Sequence, residues 1–253
     1  MPYAKTSRGN LFYTLNQGPQ RTPTLVLVHG AGGTRLHWPA ELRRAPDATV
    51  YTLDLPGHGR SGGRGYDTIA AYAESVVAFL QAVEVEHAVI TGHSMGGAIA
   101  LALALDFTEL VAGLVLMATG ARLRVAPTIL RGIRDDFGET TELITRFAWS
   151  SQAPPQLTKL GRQALTETGP DVLWGDFTAC DRFDVMECLG EIETPTLLIA
   201  GSADQLTPIK YAQYLTENIS GSRLVTVEDA GHMVMLEHPR EVAQTVEDFL
   251  KTL

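Results

Sequence analysis

Short, nearly continuous apolar runs punctuate this chain, and polar or glycine-rich turns end each of them. Thr24–Val28 closes on His29-Gly30, Thr49–Leu53 on Asp54-Leu55-Pro56-Gly57, and Ala88–Thr91 on Gly92-His93-Ser94. Val111–Met117, Thr196–Ala200 and Arg223–Val227 repeat the pattern, and Leu11–Leu15 is a shorter β-prone run ending at Gln17-Gly18-Pro19. Runs of this length without alternation predict strands buried on both faces, as in a parallel sheet. Between them the period changes. Ile69, Tyr72, Val76, Phe79, Leu80 and Val83 recur at helical spacing within Thr68–Val83, and helices are also expected over Ser94–Leu105, Ile209–Glu217 and Glu241–Leu250. Strands alternating with helices predict an α/β fold with a mostly parallel sheet covered on both sides.

Residues 121–188 break the alternation. They carry helix-like segments (Ile129–Phe137, Thr140–Trp149, Leu157–Leu165, Val172–Phe177) and Pro154-Pro155, but no convincing strand. The expected organisation is a core of residues 1–120 and 189–253 with a helical cap, 121–188, inserted as a lid or a substrate-pocket wall.

Composition narrows the function classes. The 253 residues are 45% hydrophobic and 19% charged, ordinary for a globular protein. A net charge of −9 disfavours nucleic acid and anionic lipid as partners. The two cysteines, Cys180 and Cys188, show neither a metal-ligand spacing nor a disulfide framework. No signal-peptide stretch follows Met1-Pro2-Tyr3-Ala4-Lys5, and the most apolar segment, Ala98–Leu105, is too short to span a bilayer. The expectation is a soluble cytoplasmic protein, monomer or homodimer, with neither membrane nor nucleic-acid partner.

Candidate chemistry sits at the strand ends. Gly92-x-Ser94-x-Gly96 lies between a strand and a small-residue helix, so Ser94 occupies a sharp turn that pushes its hydroxyl out above the sheet. A serine hydroxyl needs a base, and the base an orienting acid. Of seven histidines, His29 and His93 lie beside turns and read as structural, His58 lies in a loop, and His238 precedes Pro239 at a helix start. His37 and His87 have no motif around them. His232, in Asp229-Ala230-Gly231-His232, directly follows the last strand and is the candidate base. Asp204, after Thr196–Ala200, is the candidate acid, and Asp229 is its competitor. The oxyanion donors expected are the N–H of Met95 and the N–H of Ala31 in His29-Gly30-Ala31-Gly32-Gly33, with Gly32 the second choice for that loop. The loop lacks the Lys-Ser/Thr ending of a phosphate-binding loop and the full dinucleotide fingerprint.

These motifs, in this order, resemble the α/β-hydrolase superfamily: the 29–33 loop, Asp54-Leu55-Pro56-Gly57-His58-Gly59-Arg60-Ser61, Gly92-His93-Ser94-Met95-Gly96-Gly97, Asp204 and Gly231-His232. The resemblance implies an eight-stranded sheet flanked by helices, a Ser94–Asp204–His232 triad and an acyl-enzyme mechanism with no metal and no cofactor. Within the superfamily the chain looks most like small bacterial carboxylesterases, near enol-lactonases, cofactor-free haloperoxidases and carbon–carbon bond hydrolases. Serine in place of aspartate as the nucleophile sets it apart from epoxide hydrolases and haloalkane dehalogenases.

The expected activity is therefore hydrolysis of small-molecule carboxylic esters with small to medium acyl chains. Lactone hydrolysis, perhydrolysis and carbon–carbon cleavage on the same triad, and a ligand sensor with slow hydrolysis, are the alternatives. Gly30, Trp38, Phe137, Trp149 and Trp174 are candidate pocket residues, with Met95, Met117, Phe147 and Phe177 as further apolar candidates.

Overall fold

A computed structural model describes residues 3–20 and 22–253; Met1 and Pro2, part of the N-terminal reading above, lie outside the described residues. Eight strands form one sheet: β1 (Tyr3–Thr6), β2 (Gly9–Asn16), β3 (Thr24–Val28), β4 (Thr49–Leu53), β5 (Ala88–His93), β6 (Val111–Met117), β7 (Thr196–Gly201) and β8 (Arg223–Val227). The spatial order is β1-β2-β4-β3-β5-β6-β7-β8. β1 and β2 are antiparallel additions at one edge, and all pairings from β4 to β8 are parallel. The chain moves outward from β3 to β4 and then returns to place β5 on the other side of β3. That reversal opens a crevice above the carboxyl ends of β3 and β5, where such sheets bind ligands.

The helices are α1 (Ala40–Arg43), α2 (Ile69–Ala82), α3 (Met95–Asp106), α4 (Pro127–Asp135), α5 (Phe137–Ala148), α6 (Pro155–Thr168), α7 (Pro170–Arg182), α8 (Lys210–Asn218), α9 (Val234–Glu237) and α10 (Pro239–Leu250). Alternate strand residues face opposite layers. Val26, Val28, Ile90 and Leu116 pack with α2, α3 and α8, while Leu25, Leu27, Val89 and Ile199 pack with α1 and α10. α3 is buried from Met95 through Ala104, which is why it is apolar all round instead of striped.

The edge strand β1 was missed in the sequence, because Tyr3–Thr6 carries no apolar run; it forms by pairing with β2. Residues between β6 and β7 form α4–α7, as the helical signals indicated. Proline at the first turn starts α4, α6 and α7, and the Asp136 side chain caps the Glu139 N–H at the start of α5. A lone antiparallel bridge, Arg122 to Asp184, ties together the two ends of this helical stretch. Ile133, Ile144, Leu165 and Leu173 give it a small apolar cluster of its own. No helix is long and apolar enough to cross a membrane among the described residues.

Candidate active site

Ser94 sits between β5 and α3 with φ 53° and ψ −116°, a conformation that costs an ordinary residue about 1–3 kcal/mol. Tight packing holds it there. A β-carbon on Gly92 would lie 2.1 Å from the Gly96 carbonyl oxygen, and one on Gly96 2.1 Å from that of Val28, so only glycine lets the start of α3 press onto the ends of β3 and β5. The strained turn leaves the Ser94 side chain half-buried at the edge of a cavity.

Asp204 and His232, at the ends of β7 and β8, meet across 2.9 Å between Oδ2 and Nδ1. The Asp204 carboxylate also accepts the N–H groups of Leu206 (2.8 Å) and Thr207 (2.9 Å) and the Thr207 hydroxyl (2.7 Å). Burial would raise its pKa; the His232 imidazole and these donors outweigh that and hold it below the usual carboxylate range. An ionised carboxylate only accepts, so the imidazole proton belongs on Nδ1 and the Nε2 lone pair is left free. Asp229, the competing acid, is exposed in a left-handed turn, its N–H donates to the Ser202 hydroxyl, and the carboxylate on the imidazole is that of Asp204.

His93 underlies His232, with ring centroids 4.8 Å apart, and its Nε2–H donates to the His232 carbonyl at 2.9 Å. Burial, then the neighbouring His232, push the His93 pKa down to about 3, so it stays neutral beneath the catalytic candidates. Glu237 braces the same loop by accepting the N–H groups of Gly231 (3.1 Å) and Ser150 (3.2 Å).

Ser94 and His232 both line one cavity of about 410 Å³, within the range of small-molecule sites. Its walls are mostly apolar and come largely from α4–α7: Ile129, Ile144, Phe147, Leu165 and Phe177, with Leu123 and Trp149 beside them. Ala31 and Gly30 line its base. Ala31 N–H and Met95 N–H have no acceptor among the described residues. The Gly32 N–H, the second choice for the oxyanion donor, is engaged by the Asp176 carboxylate at 2.8 Å instead.

The architecture coincides with that of known proteins. The model of the alpha/beta hydrolase family matches residues 25–245. The chain belongs to the alpha/beta hydrolase family. It is 31% identical over 250 residues to a pimeloyl-[acyl-carrier protein] methyl ester esterase of Neisseria meningitidis, covering 92% of this chain and 95% of that one. A solved thermophilic esterase superposes with a TM-score of 0.88 at 33% identity, over 99% of this chain and 96% of the other. The enol-lactonase of Burkholderia xenovorans LB400 shares the fold, with a TM-score of 0.91 at 24% identity over 99% and 100% of the two chains. This protein is thus an alpha/beta hydrolase with esterases among its relatives.

Within this hydrolase the apolar walls differ from the sequence expectation. Gly30, Trp149, Phe147 and Phe177 line the cavity. Trp38 does not: it is fully buried in the core layer with Leu42 of α1 and with Leu25 and Leu27 of β3. Phe137 and Trp174 pack into the α4–α7 cluster, Trp174 beneath the Arg134 guanidinium. Met95 and Met117 are buried in the core, and neither lines the cavity. Cys180 lines the cavity, but burial raises its thiol pKa, which leaves it protonated and a poor rival nucleophile.

Sequence reasoning missed Asp176 altogether and left His58 as a loop histidine. Both are buried, and they pair at 2.8 Å, 118 residues apart. The available signal was an acid on the apolar face of α7, in line with Leu173 and Cys180 at helical spacing.

Proposed function

We propose that this hydrolase is a carboxylesterase acting on esters of small to medium acyl chain through Ser94, His232 and Asp204. The observation that carries the reading is the Asp204–His232 pair, which leaves Nε2 free on an imidazole that shares its cavity with a strained, half-buried serine. Ser94 Oγ attacks the ester carbonyl while His232 Nε2 takes its proton. The tetrahedral oxyanion is held by the N–H groups of Ala31 and Met95, the latter at the positive end of α3. His232 then returns the proton to the leaving alcohol, and a water activated by the same nitrogen hydrolyses the acyl-enzyme. Asp204 fixes the tautomer and stabilises the imidazolium. Residues 121–188 serve as a cap, since α4–α7 supply most of the apolar wall against which an acyl chain would lie.

A methyl ester on a pimeloyl group is a second reading, favoured by the likeness to the Neisseria enzymes over nearly their whole length. Steady-state rates on p-nitrophenyl esters from acetate to palmitate, together with methyl pimelate esters, test both. The expected result is a kcat/KM maximum at short or medium chain, abolished in Ser94→Ala along with covalent labelling by a fluorophosphonate. Labelling retained at another residue would move the nucleophile, and a maximum at palmitate would replace the esterase reading with a lipase.

A further inference from the structure

Three successive peptide groups of the 30–33 loop are pinned, and two of the pins come from the cap. The Gly30 carbonyl accepts the Gly33 N–H at 3.0 Å and a proton from His29 Nδ1 at 2.8 Å. The Gly32 N–H donates to Asp176 Oδ2 on α7 at 2.8 Å. The Gly32 carbonyl accepts the Thr168 hydroxyl on α6 at 2.9 Å, the shorter of that proton's two contacts, the other being the Ala164 carbonyl at 3.1 Å. Gly32 has φ +62°, and a β-carbon there would meet Leu165 at 2.5 Å and Leu173 at 2.7 Å, so both helices press directly on this peptide. After these contacts, the N–H groups of Gly30 and Ala31 are the loop donors left without an acceptor among the described residues, and Ala31 is the residue whose peptide adjoins the clamped Gly32.

A carboxylate with no exposed surface is costly unless donors surround it. Asp176 has three: the Gly32 N–H, His58 Nε2 at 2.8 Å, and the Tyr72 hydroxyl on Oδ1 at 2.5 Å. Two of these donors belong to the core, and the third is the loop peptide itself. A charged acceptor makes a shorter and stronger hydrogen bond to a peptide N–H than a neutral one does. Beside a developing oxyanion a bare carboxylate would be repulsive; the His58 partner offsets that charge.

We infer that Asp176 and Thr168 are positioning residues: from the cap they clamp the Gly32 peptide on both sides and so aim the Ala31 N–H into the oxyanion site. The cap thereby completes the catalytic centre as well as walling the substrate. This rests on the esterase reading and on Ala31 as a donor. Loss of one oxyanion donor costs roughly 10²–10³-fold in rate, and a donor that is misaimed but still present should cost less.

The test compares Asp176→Asn, Thr168→Val and Thr168→Ser with the wild-type chain on p-nitrophenyl butyrate, alongside the affinity of a trifluoromethyl ketone whose adduct fills the oxyanion site. We expect the first two variants to lose about tenfold or more in kcat with KM within about twofold. Ketone affinity should fall in parallel, and Thr168→Ser, which keeps the hydroxyl, should restore both. Melting curves identify variants that remain folded; should Asp176→Asn unfold, the Thr168 pair decides alone. A folded Thr168→Val with unchanged kcat and ketone affinity, or with a change in KM only, overturns the inference. A wild-type chain that neither hydrolyses esters nor is phosphonylated at Ser94 brings down the esterase reading, and this inference with it. Full phosphonylation at Ser94 with variants of unaltered kcat overturns the clamp and leaves that reading standing.

Discussion

Asp204–His232 at the strand ends and Asp176–His58, where α7 meets the loop after β4, are almost the same object locally. Each is a buried carboxylate on an imidazole nitrogen, at 2.9 and 2.8 Å. They differ at the other nitrogen. His58 Nδ1 is tied to the Pro56 carbonyl at 3.0 Å, so both of its nitrogens are occupied and it has no contact with the cavity. His232 has Nε2 free and lines the cavity with Ser94. A carboxylate–histidine pair therefore becomes a candidate base only where the fold leaves one nitrogen open to a substrate. The same pair with both nitrogens engaged fastens one part of the molecule to another. The electrostatics follow this division. Burial would lower the His58 pKa, but the Asp176 charge and hydrogen bond reverse that and raise it, favouring the charged, clamping form.

Substitutions should separate the two pairs. The largest effect is expected from Asp204→Asn, which keeps the shape but places the imidazole proton wrongly: kcat should fall about 10⁴-fold, as in serine proteases, or about 5.5 kcal/mol in barrier. Steady-state kinetics measures this, and a near-wild-type rate would give the acid's role to another residue.

His58→Ala should show the opposite profile. It strands the Asp176 carboxylate, and removing one partner of a buried pair costs about 3–5 kcal/mol of stability. Urea unfolding would register that loss, while phosphonate labelling of Ser94 should persist. A stable variant that can no longer be labelled would mean that His58, too, is catalytic.

Residue by residue, the smallest effect is the dependence of stability on pH. Burial is the largest cause holding the His29, His37 and His93 pKa values down, to about 4 for His37 and about 3 for His93. Unfolded, each would titrate near 6.5. The unfolded chain therefore binds more protons as the pH falls below about 6.5, and the stability these groups contribute above that pH is lost as it falls, down to about 4 for His37 and about 3 for His93. The slope is about 1.4 kcal/mol per pH unit for each histidine. His58 runs the other way: its contribution is complete below about 6.5 and fades as pH rises through its raised folded value. Unfolding midpoints should accordingly fall between pH 7 and pH 5, and a flat profile there would contradict the buried neutral histidines.

Much of the fold was legible because its signals are local. β3, β4, β6 and β8 occupy the apolar runs that predicted them, end to end. The helices over 127–182 also fell near the helix-like segments: α6 and α7 extend beyond theirs at both ends, while α4 and α5 start and end earlier than expected. The pocket was less legible. Trp38 and Trp149 look alike in sequence, yet one is buried under the sheet and the other faces the cavity.

Chain order and backbone sterics, which the amino-acid string carries in full, determined the parallel core, the glycine-flanked turn at Ser94 and the strand ends where Asp204 and His232 lie. Only the tertiary structure decided which imidazole keeps an open nitrogen, which aromatic residues reach the cavity, and that Asp176 grips a peptide 144 positions away. The physical reason is that periodicity and turn preference act over a few residues, whereas the partner of a buried polar group is chosen by packing. A helix that shows one acid on its apolar face reveals that a partner is required and leaves its identity to the fold.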